Sequence, residues 1–349
     1  MLKSPVMREL RVGNIKRSKL EMNRNNCLNI LKCIACFGVV FIHITFPGTL
    51  GDIVKYASAF AVPLFFMIAG YYSYGCTDEK IKKRVIKITN ILVFGILWFL
   101  AYNIVFKIKD HTLVTWLANN FNWKTPIKFF AFCTISWAIP LWYLIAMAET
   151  YFVWIFVVRF KQEDKVTKFT YVLFFFGALL TVIVDSLGLN WSFKINFICR
   201  AMPWFMFGYL VKQKYESKLI AVKNQTLFLI AITGWVITLS AVLLKTAVNY
   251  NYVGVLLTAP ALFLIGIKNP DISISRPVEY IGEKLSLFIY IFHPLVSSAV
   301  MVAMKLLGVN RDGIYTYFHP IVTLAASIAV AIFFELVFRN KKIRRLIYR

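Results

Sequence analysis

Long apolar runs alternate with short polar connections along the whole chain. Ten such runs lie near residues 28–46, 57–74, 88–106, 137–158, 169–187, 196–211, 226–244, 253–267, 285–307 and 321–338. Most of them approach the roughly 20 residues that an α-helix needs to cross about 30 Å of hydrocarbon. The pattern predicts an all-α fold, a polytopic membrane bundle of about ten transmembrane helices embedded in a lipid bilayer.

The positive charges occupy the gaps between these runs. The 349 residues are 59% hydrophobic and carry a formal net charge of +24. Basic residues on an aromatic-interleaved face would indicate nucleic acid, but these do not form one, so nucleic acid is excluded as a partner. With the N-terminus inside, 29 of the 40 Lys and Arg residues fall in cytoplasmic segments and 10 in external ones. This asymmetry predicts that both termini are cytoplasmic.

Three regions follow from this arrangement. We expect a basic cytoplasmic arm over residues 1–26, a transmembrane domain over 27–338 and a basic cytoplasmic tail over 339–349. The longest external connection, about Lys107 to Ser136, is rich in aromatic residues. It fits either a cap over an outward cavity or an ordinary aromatic belt.

Two ionisable side chains interrupt the first apolar run. Lys32 and His43 are eleven residues apart, which places them on one side of a helix about 16 Å from each other. Ionisable residues inside a span indicate function. Imidazole suits a general base or a nucleophile, whereas Lys32 suits an anionic ligand. The structural alternatives are a hydrogen-bonded neutral ring for His43 and snorkelling to the headgroups for Lys32.

Later runs carry further candidates. His293 precedes Pro294, which is expected to kink its helix, and Ser286 and Tyr290 come just before it. If that helix begins near Leu285, His293 lies about 12 Å along it, whereas His43 lies about 22 Å along the first helix. The two histidines are then at different depths in the membrane and are not expected to pair. Glu149 lies in mid-span, where a carboxylate is expected to face the bundle interior or water. His111 and His319 fall in predicted external loops and receive no role.

A basic loop from Lys80 to Lys87 contains Lys82, Lys83 and Arg84. These side chains are able to bind the phosphates of a cytoplasmic donor, and positive-inside anchoring is the alternative explanation. The Cys33-x-x-Cys36 spacing has no further ligand nearby in the sequence, so no metal site is expected.

Five blocks in order resemble the integral membrane acyltransferase family 3, over about residues 25–340. They are Lys32 with His43, Pro63–Tyr71, Leu141–Leu144, Arg200 with Pro203–Tyr209, and Ser286–Pro294. Members of this family are O-acyltransferases, typically dependent on acetyl-CoA, that modify surface polysaccharides and related acceptors.

The resemblance implies roles for individual residues. His43 becomes the essential imidazole of acyl transfer, Lys32 replaces an Arg, and Lys82 to Arg84 correspond to the basic loop on the acyl-CoA side. The candidates for substrate or donor binding also include Arg200, Ser286, Tyr290 and His293, which lie in these blocks, and Glu149, which lies outside them. Two positions depart from the family pattern: Ala69 stands where Ser is usual, and the Gly282 to Ser286 spacing is one residue longer.

The expected function is therefore an O-acyltransferase of a bacterial cytoplasmic membrane. It would move an acyl group, chiefly acetyl, from acyl-CoA as co-substrate to a hydroxyl of a glycan or a lipid-linked sugar. A second branch is also similar: the membrane region of the membrane-bound serine racemases of vancomycin-resistance clusters. The alternative function is thus L-serine import, or another permease in which Lys32 and Glu149 bind a zwitterion. That branch would add a cytoplasmic partner domain after Arg349 or as a separate chain.

Overall fold

The computed structural model describes residues 25–219, 221–244, 251–309 and 313–339. Within those ranges the chain is helical, with connecting turns and no β-strand. The all-α prediction is confirmed. The predicted basic arm and basic tail lie outside the described residues, apart from the few positions where they join the first and last helices.

The helices are numbered here in chain order. They are α1 Asn26–His43, α2 Gly48–Ala57, α3 Ala61–Tyr71, α4 Asp78–Lys109, α5 Leu113–Asn120, α6 Lys124–Phe132, α7 Trp142–Arg159, α8 Glu163–Thr167, α9 Thr170–Ser186, α10 Phe197–Arg200, α11 Met202–Leu210, α12 Glu216–Leu219, α13 Asn224–Leu243, α14 Asn251–Lys268, α15 Arg276–Tyr280, α16 Ser286–Leu306 and α17 Ile314–Arg339. Short 3₁₀ segments cover Ile139–Leu141 and Trp191–Lys194, and π-helical segments cover Val211–Tyr215 and Ile281–Leu285.

Among the described residues, six helical segments are long and apolar enough to cross a membrane. They are Asn26–His43, Gly48–Tyr71, Asp78–Lys109, Ile139–Arg159, Arg276–Leu306 and Ile314–Val337. Three shorter apolar helices are Thr170–Ser186, Asn224–Ser240 and Val253–Lys268. The remaining apolar run of the sequence corresponds to the nine-residue α11. The chain is therefore a multi-pass membrane protein, and the count of ten spans with cytoplasmic termini stays a prediction.

Helix α1 is the central element of the bundle. It packs against α2, α3, α14, α16 and α17. Its N-cap Asn25 accepts a hydrogen bond from the Leu28 amide at 2.7 Å and donates to the Gly266 carbonyl at 2.9 Å, which ties the cap to α14. Most α1 side chains are buried, as expected for a helix that contacts other helices all round.

Two glycines allow α3 and α11 to cross with their backbones in contact. A Cβ atom at Gly70 would lie 1.8 Å from the Phe205 carbonyl oxygen, and one at Gly208 would lie 1.9 Å from that of Met67. Only glycine permits so close an approach, which is the small-residue packing typical of membrane helices. Phe66 and Phe205 fill the adjacent core, where both are fully buried.

The π-helical segment Ile281–Leu285 explains the longer spacing noted before Ser286. A π-turn closes its hydrogen bond over five residues and so accommodates one more residue than an α-turn. Gly282 in this segment touches α1, because a Cβ there would lie 1.8 Å from the Asn29 carbonyl oxygen. The extra residue is thus absorbed where α15, α16 and α1 meet.

Two expectations about loops need correction. Residues 80–87 form the first turns of α4, since Thr77 caps that helix and Asp78 and Glu79 occupy its first turn. His319 lies in α17, which begins seven residues earlier than its apolar run. The aromatic connection 107–136 contains the short helices α5 and α6. Trp116 of α5 packs edge-on against Trp137, and Phe121, which follows α5, stacks on Trp137.

Candidate active site

His43 and His293 are neighbours, and the expectation that they lie too far apart to pair is wrong. Their ring centroids are 5.2 Å apart with planes inclined by 36°. The error came from the assumed helix start near Leu285, because the continuous helical segment begins at Arg276. The Cys36 thiol donates to the Ser286 carbonyl, and His43 and His293 each lie seven residues beyond that contact on their own helices. The two helices run parallel, so the rings arrive at the same level.

The tautomer of His293 follows from its surroundings. Its Nδ1 atom lies 2.8 Å from the Tyr290 carbonyl oxygen and 3.2 Å from that of Ile289, so Nδ1 carries the proton and donates it. Pro294 has no N–H to give to the Tyr290 carbonyl, which leaves that oxygen available to the ring. His293 is fully buried, and its Nε2 atom, which then bears the lone pair, has no hydrogen-bond partner.

His43 opens into a cavity of about 450 Å³ at the end of the bundle where α1 terminates. The side chain is exposed, and the space it faces is this cavity. Its aromatic and polar lining consists of Tyr56, Trp142, Thr181, Trp191, Lys194, Arg200, Trp204 and Tyr290. Its aliphatic lining consists of Val39, Ile42, Ala59, Val62, Pro63, Ile139, Ile195 and Val255. A cavity of this size with few polar groups among apolar walls is typical of a small-molecule site.

Two cations stand in one wall of the cavity. The Arg200 guanidinium donates to the Thr181 hydroxyl at 3.0 Å and to the Lys194 carbonyl at 3.1 Å. Lys194 forms an ion pair with Asp185, whose Oδ2 atom is buried without a hydrogen-bond partner. These contacts fix both cations relative to α9. The wall therefore presents fixed positive charge and tryptophan rings to whatever enters.

Tyr290 connects the histidine pair with the far wall. Its hydroxyl donates to the Pro140 carbonyl, and its ring lies 5.3 Å from the ring of Tyr143 and 6.2 Å from that of His293. This hydrogen bond, made by an almost fully buried side chain, holds α16 against the 3₁₀ segment Ile139–Leu141. It acts as part of the cavity floor.

Three other predicted residues lie away from this cavity. Lys32 is half-buried on α1 and is not among the lining residues. Glu149 accepts a hydrogen bond from the Cys133 thiol at 3.1 Å, and burial together with that carboxylate raises the pKa of Cys133, so the thiol stays protonated. Ser286 donates to the Gly282 carbonyl at 3.0 Å, and its own carbonyl accepts from the Cys36 thiol.

The basic residues at the start of α4 divide into two kinds. Lys82 and Lys83 are exposed. The Arg84 guanidinium instead donates to the Ser73 hydroxyl and to the Tyr72 carbonyl, both at 2.7 Å. Arg84 therefore stabilises the turn between α3 and α4, whereas Lys82 and Lys83 are presented to solvent.

A family model described as an acyltransferase domain matches residues 25–339. The chain belongs to acyltransferase family 3. A search of curated proteins and a search of solved structures each gave no match.

In this member of acyltransferase family 3, the matched region contains every element around the cavity. Sequence reasoning had already selected His43, Arg200 and Tyr290, which the fold brings together there. It missed Lys194 and Trp191. The signal for them was the segment 190–194, in which an aromatic residue and a cation follow a short apolar helix on the predicted outer side.

Proposed function

We propose that this acyltransferase family member is a membrane O-acyltransferase that moves an acyl group, chiefly acetyl, from cytoplasmic acyl-CoA to a hydroxyl of a cell-surface glycan or lipid-linked sugar. The observation that carries the proposal is the imidazole of His43 at the edge of a cavity with aromatic and cationic walls. Bacterial cytoplasmic membrane is the expected location.

The acceptor is proposed to bind in the cavity. Tryptophan rings provide flat apolar faces for the C–H surfaces of a sugar, and Trp142 and Trp191 stand in the lining. Arg200 and Lys194 add fixed positive charge beside them. A saccharide hydroxyl held against His43 would then be positioned for attack on a thioester carbonyl.

The chemistry of the step follows from the His43 lone pair. His43 accepts the proton of the acceptor hydroxyl while the oxygen attacks the acyl carbonyl, and the coenzyme A thiolate departs. A second route acylates the His43 ring first and then passes the acyl group to the hydroxyl. In both routes His293 stands behind His43 with a lone pair at Nε2 and no hydrogen-bond partner for it.

The donor is proposed to dock near Lys32, Lys82 and Lys83 at the opposite end of α1. The exposed ammonium groups of Lys82 and Lys83 suit phosphate as point charges. Lys32 and His43 are eleven residues apart on one helix, about 16 Å along its axis, a distance that an extended pantetheine arm can cover.

Reconstituted protein tests the proposal. Proteoliposomes supplied with labelled acetyl-CoA and a crude glycan fraction should transfer label to the glycan, and the H43A variant should not. A variant of the neighbouring cavity residue, I42V, controls for changes in the shape of the wall. Undiminished transfer by H43A would remove His43 from the mechanism. Serine uptake without any transfer would instead support the permease.

A further inference from the structure

A row of polar side chains leads away from the histidine pair between α16 and α17. Tyr315, His319, Thr323 and Ser327 follow one another at four-residue intervals on α17, which places them along a single ridge of that helix. Thr323 and Ser327 are fully buried. The hydroxyl oxygens of Tyr315, Thr323 and Ser327 are all buried without a hydrogen-bond partner.

Several other hydroxyls among the described residues are satisfied within their own helix. The buried Thr150 donates to the Ala146 carbonyl at 2.7 Å and the buried Thr258 to that of Gly254 at 3.1 Å, and the half-buried Ser298 donates to that of Pro294 at 3.1 Å. The hydroxyls of the α17 ridge make no such bond. A buried polar group without a hydrogen-bond partner is unfavourable, and a site lined by several such groups suits bound water.

The ridge meets the histidine pair at Thr323. The Ser297 hydroxyl lies 3.3 Å from His319 Nε2, which fixes the antiparallel register of α16 and α17. His293 lies four residues before Ser297 on α16, and Thr323 lies four residues after His319 on α17. The same register therefore places His293 level with Thr323. His293 Nε2 is likewise buried without a partner. Buried polar atoms without a hydrogen-bond partner, one from α16 and one from α17, therefore lie at the same level of the bundle.

The ridge has polar contacts toward one end only. Beyond Ser327 the apolar cluster that includes Cys36, Val40, Ile289 and Ala331 fills the contact between α1, α16 and α17. Toward the other end the contacts are polar, from Thr323 past the Ser297–His319 pair to Tyr315, whose ring lies 5.6 Å from that of His319. Water entering the ridge would therefore connect His293 with the end of the bundle where α1 terminates.

We propose that this ridge holds a file of water molecules that carries the proton of the acceptor hydroxyl away from the histidine pair. The file leads to the aqueous phase at the end of the bundle where α1 terminates, which the charge pattern predicts to be external. The proposal rests on the proposed function. The acceptor O–H bond breaks, the oxygen forms the ester and the proton moves from His43 through His293 Nε2 to the external phase. The coenzyme A thiolate takes up a proton on the cytoplasmic side, so the reaction balances while one proton is released outside per transfer.

Cysteine labelling tests the water file without any need for activity. In a full-length variant whose six native cysteines are replaced, T323C should react with a membrane-impermeant methanethiosulfonate applied from outside. T150C is the matched control, because Thr150 is equally buried but satisfies its own hydroxyl. We expect labelling of T323C to be at least tenfold faster, and equal slow labelling of the two would overturn the file.

Proton release tests the role of the file. Proteoliposomes loaded with acetyl-CoA and given external acceptor should acidify an external pH dye in proportion to the label transferred. S297A and T323V should lower kcat about tenfold with KM for both substrates unchanged, whereas S298A, which removes a self-satisfied hydroxyl on the same helix, should not. Full kcat in S297A and T323V, or transfer without external acidification, would overturn the proton role.

The two tests separate this inference from the proposed function. If wild-type protein transfers no label, the proposed function and the proton role both fail, while labelling of T323C would still establish a hydrated ridge. If transfer proceeds but T323C stays unlabelled, the acyltransferase stands and the file is overturned.

Discussion

The rings of His43 and His293 lie with their centroids 5.2 Å apart, because each residue stands seven positions beyond the contact between the Cys36 thiol and the Ser286 carbonyl on parallel helices. One ring is open to the cavity and the other is fully buried. Pro294 and the Tyr290 carbonyl fix the proton of His293 on Nδ1, so the atom left with a lone pair is Nε2. The pair thus combines an accessible imidazole with a second one held in a defined tautomer.

The Nε2 atom of His293 can be tested separately from the fold. H293N keeps an amide N–H that can donate to the Tyr290 carbonyl but has no atom at Nε2, so we expect kcat to fall about 10²-fold with little change in thermal stability. H293A should lose both activity and stability, because it leaves a carbonyl unpaired and a void in the core. Label transfer and thermal unfolding in detergent measure the two effects. Full kcat in H293N would show that Nε2 takes no part.

Arg200 is expected to act on the acceptor. R200Q removes the charge and weakens the contacts to Lys194 and Thr181, so KM for the acceptor should rise about tenfold while KM for acyl-CoA stays constant. Arg159, which makes only an exposed ion pair with Asp78, provides the control R159Q. Initial rates measured at varied acceptor and acyl-CoA concentrations give the two KM values for each variant. A rise in KM for acyl-CoA alone would place Arg200 on the donor side.

The basic residues of α4 should separate into donor-binding and structural ones. K82M and K83M should raise KM for acyl-CoA a few-fold, an effect that high salt diminishes because exposed charges are screened. R84M should instead lower the free energy of unfolding by about 1–3 kcal/mol, since the Ser73 hydroxyl and the Tyr72 carbonyl lose their partner. Kinetics and thermal unfolding of the three variants check this. Unchanged KM in both lysine variants would favour a purely topological role for the charges.

The crossing of α3 and α11 should not tolerate a methyl group. G70A and G208A would each bring Cβ within 2 Å of a backbone carbonyl oxygen, at 1.8 and 1.9 Å, so the helices must separate. We expect a loss of stability of about 1–3 kcal/mol or failure to fold. G95A is the matched control, because its Cβ would meet side-chain atoms and no backbone, the nearest being those of Leu141 at 3.1 Å and Ile291 at 3.4 Å. Size-exclusion profiles after heating compare the variants, and equal stability of all three would contradict this account of the crossing.

The sequence alone determined the features that depend on local geometry. Apolar runs of sufficient length specify membrane helices, because every backbone polar group in hydrocarbon must be satisfied within its own segment. Helical spacing along α1 was enough to select His43, and the block around Pro294 was enough to select His293 and Tyr290. The all-helical architecture and family membership were therefore accessible before any coordinates.

Only the tertiary structure decided which of these residues meet. The depth of a residue depends on where its helix begins. The helical segment that carries His293 continues back through the π-helical turn before Ser286 to Arg276, and its apolar pattern alone does not indicate that start. Lateral neighbours depend on backbone crossings such as Gly70 with Gly208, which a uniformly apolar run does not specify. The structure therefore shows what the sequence did not, that Lys194 lines the cavity and that Arg84 stabilises a turn. The two histidines are neighbours because of packing between helices, which no single run of the sequence specifies.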